Sequence, residues 1–220
     1  MLKSPKNKNI LVLAAHPDDE TLGCGATIHR LSQHNNIHLL TFTDGVGSRE
    51  QGQANRNGKL KEVCNILGID KFHVGDFPDN AMDSVPLLDL CKFIESCVNY
   101  SPDIVFTQFA GDLNIDHQLV ARATITAFRP QAGKAMQIYS YPVVSSTDYN
   151  PLSYFDADSY FSLSQEDVDK KIEALTIYDE EMRDEPHTRS YANVMNLMKV
   201  WGCEVGFPYC EKFKLIRQIL

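Results

Sequence analysis

The stretch Ile10-Leu11-Val12-Leu13-Ala14-Ala15-His16-Pro17-Asp18-Asp19-Glu20 decides how this chain is read. Its opening is an uninterrupted apolar run, which reads as a buried strand. One imidazole and two aspartates follow at once, where that strand should end. Open α/β sheets place their ligands outside the carboxyl ends of the strands. Two kinds of metal-ligating side chain and a spare carboxylate at such a place are a compact recipe for a hydrolytic zinc site.

On either side of this stretch, short apolar runs alternate with amphipathic segments. The pattern predicts strands at 10–14, 37–43, 71–74, 104–107 and 136–140. Helices are predicted at 21–34, 54–67, 87–100 and 116–128. Such alternation implies an α/β fold: a Rossmann-like, doubly wound, mostly parallel sheet of order 3-2-1-4-5 with helices on both faces. Past residue 145 the pattern changes. A loop-like stretch at 145–159 precedes helices at 165–182 and 190–201 and a last strand at 211–216. Residues 1–220 read as one domain, a core over 1–145 completed by 146–220. Long loops at 44–54, 75–86 and 141–159 are expected to wall a site.

A second ligand-bearing run follows the fourth strand, Gln108-Phe-Ala-Gly-Asp-Leu-Asn-Ile-Asp-His117. With strands one and four as neighbours, His16, Asp19 and His117 converge in one crevice. Catalytic zinc takes three protein ligands and keeps one open position, and this trio supplies the set. One zinc per chain is expected, iron(II) or another divalent ion being compatible with the same ligands. Asp18 is then left beside the ion as a general base.

Composition narrows the partners. A formal net charge of −8 over 220 residues argues against a nucleic-acid binder. Six cysteines without a C-x-x-C pair read as reduced thiols. The first residues are polar and basic, and no apolar run approaches membrane-spanning length. A cytoplasmic protein acting on a small molecule is expected, homo-oligomerisation being compatible.

The residues Ala15-His-Pro-Asp-Asp-Glu20 and Asp116-His117 resemble those of the PIG-L/LmbE-like zinc-dependent N-deacetylases. The runs 44–49, 77–80, 111–117 and 186–190 resemble a bacterial branch associated with surface polysaccharides and amino sugars. The resemblance implies removal of an N-acetyl group from a free, nucleotide-linked or glycan-precursor amino sugar. It implies His16, Asp19 and His117 as metal ligands and Asp18 as the base. There are departures. Asn114 stands where many members carry a carbonyl-polarising histidine, and Gln108 also replaces a common histidine. Arg56 fits a family arginine, with Lys59 where an acid is usual. Asn114 can donate a hydrogen bond to an oxyanion but cannot supply a proton. His187, in the 186–190 motif, is the candidate acid or substrate contact, with protonated Asp18 the alternative. Arg49 and Arg189 are candidates to clamp a phosphate or carboxylate.

Plainer readings stand beside these. Asp18 is otherwise a helix-terminal charge, and Asp112 and Asp116 are turn or cap residues. Asp116 alternatively orients a ligand histidine. The 186–189 stretch is otherwise a salt-bridged helix junction. Tyr141, Tyr149 and Tyr154 are core or stack on a sugar. The rival functions are a non-catalytic sugar or nucleotide binder and a two-metal phosphoesterase.

Overall fold

The computed structural model describes residues 5–45, 56–132 and 135–219. The central strand is β1 (Asn9–Ala14), paired in parallel with β2 (Asn36–Thr41) on one side and β4 (Ile104–Gln108) on the other. Side chains alternate across a strand, so the apolar run is shared between two cores. Ile10, Val12 and Ala14 pack with α1 (Asp19–Ser32) and α2 (Arg56–Leu67), and Leu11, Leu13 and Ala15 pack on the opposite face. That opposite face is covered by α3 (Leu87–Cys97) and α4 (Ile115–Ala127).

Outside β2 lies β3 (Lys71–Val74), and outside β4 lies β5 (Gln137–Tyr141), both parallel to their neighbours. Two further strands extend the sheet antiparallel. They are β7 (Cys210–Arg217), beside β5, and β6 (Ser159–Ser162), beside β7. The full order is β3-β2-β1-β4-β5-β7-β6. The expected 3-2-1-4-5 core is present, and β6 is an element that the loop reading of 145–159 did not include.

The late helices join the first face: α5 (Gln165–Ile177) and α6 (Tyr191–Val205). The helix expected over 165–182 stops at Ile177, and a short 3-10 turn at Asp179–Glu181 follows. Tyr141 is fully buried, its hydroxyl donating to the Leu13 carbonyl at 2.7 Å, so it cannot stack on a ligand. All six cysteines are free thiols. Among the described residues no helix is long and apolar enough to cross a membrane.

The candidate metal centre and its carboxylates

The crevice opens where connections leave β1 and β4 on opposite faces of the sheet. It is a cleft of about 140 Å³ lined by His16, Asp18, Asp19, His117, Asn114 and Arg189 among others. One ligand atom each from His16, Asp19 and His117 lie within 4.8 Å of one another. Asp19 Oδ2 is the hub, 3.0 Å from His16 Nδ1 and 3.3 Å from His117 Nε2. Gln108 fixes that carboxylate, donating to it at 3.0 Å while its own carbonyl accepts from Ala15 N–H at 2.8 Å.

The outer nitrogens of both imidazoles also face carboxylates. His16 Nε2 lies 3.1 Å from Asp116 Oδ2 and 3.1 Å from Asp79 Oδ1. His117 Nδ1 sits 3.2 Å from Asp112 Oδ1, without the alignment of a hydrogen bond. Asp112 is itself held by the hydroxyls of Ser146 and Thr147. Carboxylates behind ligating histidines orient the ring and raise its basicity. Asp116, Asp79 and His16 form a second ligand-like group. Both oxygens of Asp116 are committed, however, accepting from Asn80 N–H at 2.7 Å and Met82 N–H at 3.0 Å.

Electrostatics follow from this crowding. Burial opposes charge on both imidazoles, but the carboxylates outweigh it. His117 is lifted to about 9, chiefly by Asp19 and Asp112. His16 rises well above its usual range through Asp116, Asp19 and Asp79. Burial likewise opposes charge on Asp19, yet His117 and His16 hold it well below the carboxylate range. Two imidazoles and a carboxylate, converging in a carboxylate-rich pocket that favours positive charge, fit a divalent cation such as zinc.

Asp18 lives in a different setting. It is buried at the N-cap of α1 with φ 125°, outside the left-handed well that tolerates ordinary residues. Burial pushes its carboxyl up to about 6, although Arg189 pulls the other way. The Arg189 guanidinium lies 3.1 Å from Asp18 Oδ2 and 3.7 Å from Glu181, and its Nε donates to Ser145 Oγ at 2.6 Å. Asn80 and Ser145 also line the cleft at positive φ, 56° and 66°. Glu20 accepts from Asp18 N–H at 3.1 Å, and burial pushes its carboxyl up to about 7.

Asn114 is the N-cap of α4. Its carbonyl accepts from Asp116 N–H at 2.8 Å and its amide donates to Asn80 Oδ1 at 3.2 Å. His187 is not among the cleft-lining residues. Its Nδ1 accepts from Arg189 N–H at 3.0 Å, so it braces the loop that presents Arg189. Arg49 and the side chain of Arg56 lie outside the described residues. Asp79 and Asn80 lie in the 77–80 run and Ser145 in a loop read as a wall, but the sequence assigns no role to these three or to Glu181.

A parallel-core α/β sheet with two histidines and a carboxylate at the switch point, and a second carboxylate beside them, defines a class of hydrolase-like sites. The chain belongs to the PIG-L family, described as GlcNAc-PI de-N-acetylase, which it matches over residues 11–128. It is 33% identical over 131 residues to the uncharacterized deacetylase YaiS of Escherichia coli, covering 56% of this chain and 70% of that one. A probable N-acetyl-alpha-D-glucosaminyl L-malate deacetylase of Bacillus anthracis is 26% identical over 133 residues, covering 54% and 59% of the two chains. The fold matches teicoplanin deacetylase Orf2 in its zinc-inhibited form at TM-score 0.76 and 14% identity, over 96% of this chain and 98% of that one. It also matches GalB, the 4-carboxy-2-hydroxymuconate hydratase of Pseudomonas putida, at TM-score 0.74 and 17% identity, over 97% and 98%.

Proposed function

We propose that this protein hydrolyses the N-acetyl group of an amino sugar, releasing acetate and the free amine. The convergence of His16, Asp19 and His117 beside Asp18 carries this reading, and it rests on the family membership as well. A hydratase shares the fold, so the fold alone does not select the reaction.

His16, Asp19 and His117 would hold one divalent cation, zinc by donor type, which when bound supplies Lewis acidity to the acetyl carbonyl and to water. Asp18 accepts the proton of the attacking water. The new C–O bond forms at the carbonyl carbon, and the C–N bond then breaks. The proton held on Asp18 passes to the departing nitrogen, which leaves as the amine. Asn114 offers an amide N–H towards the oxyanion. Arg189 keeps Asp18 ionised against the push of burial, and His187 braces Arg189.

The test is acetate release from free, phosphorylated and nucleotide-linked N-acetylglucosamine. The protein is first stripped by a chelator, then reloaded with one equivalent of zinc. Acetate and free amine are expected only after reloading. A reloaded protein that binds one equivalent yet releases acetate from none of these sugars refutes the reading.

A further inference from the structure

The first helix is broken where its function begins. Cys24 has non-helical angles, φ −144° and ψ 22°, inside α1. Glycines flank it, and Gly and helix interiors agree poorly. Gly23 is pressed against Tyr141, whose ring leaves no room for an added Cβ. The short segment before the break carries Asp19 and Glu20, and Asp18 caps it.

In an unbroken helix Ala26 N–H bonds to Leu22 C=O. Here each of those two groups has a charged partner from far along the chain. Ala26 N–H donates to Glu211 Oε1 at 3.2 Å, and Leu22 C=O accepts from Lys171 Nζ at 2.7 Å. Lys171 Nζ and Glu211 Oε1 close the gap at 2.6 Å, and Thr27 N–H donates to Glu211 Oε2 at 2.7 Å. Both charges are out of water, Lys171 at 1% and Glu211 at 0% exposure. Neither lines the cleft, and both lie beyond the residues matched by the family. Burying an ion pair costs desolvation, and an apolar pair would fill the same space more cheaply. What an apolar pair cannot do is bond both backbone groups at the break.

We infer that the Lys171–Glu211 pair is a clasp that stands in for the helix hydrogen bond at the break in α1 and thereby positions Asp19 for the cation, with Asp18 beside it. Both are positioning residues. The inference rests on the reading of His16, Asp19 and His117 as the ligands of a divalent ion.

The test uses the full chain, with zinc as probe and binding as readout. The double variant K171M/E211L removes both charges together, so that neither is left buried alone. It is expected to fold by circular dichroism and to bind zinc about tenfold more weakly or worse by chelator competition. A folded double variant with wild-type zinc affinity overturns the clasp. Should the variant not fold, amide hydrogen exchange of the wild type decides. Coupling is reciprocal, so zinc should slow exchange at Ala26 and Thr27. Unchanged exchange there overturns the clasp as well. A wild type that binds no zinc overturns the metal reading itself, a different result from zinc bound without coupling.

Discussion

Asp18 and Asp19 are neighbours in the chain, yet they face two different parts of the molecule. Asp19 looks into the parallel core, where β1 and β4 deliver His16, Gln108 and His117. Asp18 looks towards the C-terminal part, where Arg189 and Glu181 arrive from beyond α5. The first carboxylate is held far down by two imidazoles, while burial pushes the second up to about 6. The core thus builds a fixed receptacle for positive charge, and the C-terminal part sets the charge of Asp18, the base of the proposed reaction. Adjacent residues of one type acquire different chemistry because different halves of the fold surround them.

The contrast breaks first at Asp19. Asp19→Asn should lower zinc affinity more than about 100-fold, beyond the 10–100-fold usual for outer partners, and activity should vanish with the metal. Metal content by elemental analysis and chelator competition check this. Full zinc retention would remove Asp19 from the ligand set.

Asp18→Asn should leave zinc bound and lower kcat by about 10²–10⁴, the usual cost of losing a general base. Near wild-type kcat would reduce Asp18 to a cap. The two variants together separate holding the ion from using it.

The smallest effect is expected at Arg189. Asp18 must be ionised to accept a proton, so the rate rises as pH climbs through its pKa. The guanidinium at 3.1 Å lowers that pKa, and its removal raises it. Arg189→Met should therefore move the acid limb of the pH–rate profile upwards by about one unit, with zinc still bound. An unmoved limb would mean that Arg189 serves the substrate instead of the base.

Most of the core was legible because its signals are local. An apolar run with ligand-type residues at its end places a strand and its site in eleven consecutive residues, 10–20. The same grammar located β4 and the approach to His117. That Asp116 orients a ligand histidine is one of the readings its residue type allows, but the histidine it faces is His16, a hundred residues away, and not its neighbour His117. What stayed hidden depends on distant residues. Nothing in the acidic run around 179–185 says that Glu181 turns towards Asp18, since 162 residues of chain lie between them. Arg189 was picked out by motif, but its ion pair with Asp18 is a product of tertiary packing. The strand β6 was missed because it is short and half-buried, paired only to β7 at the sheet edge. The clasp was unreadable because Lys171 looks like one more charge on an amphipathic helix.

Asp18 sits at φ 125°, away from the backbone wells open to residues with a Cβ. Holding a side-chain-bearing residue at such an angle costs about 1–3 kcal/mol, a sizeable part of the roughly 5–15 kcal/mol that keeps a domain folded. Glycine would relieve it, since a residue without Cβ reaches positive φ freely. Selection for folding and selection for turnover therefore pull this position in opposite directions. A library of this chain enriched only for thermal endurance should drift to glycine at 18, whereas one enriched for turnover should keep the carboxylate and accept a lower melting point.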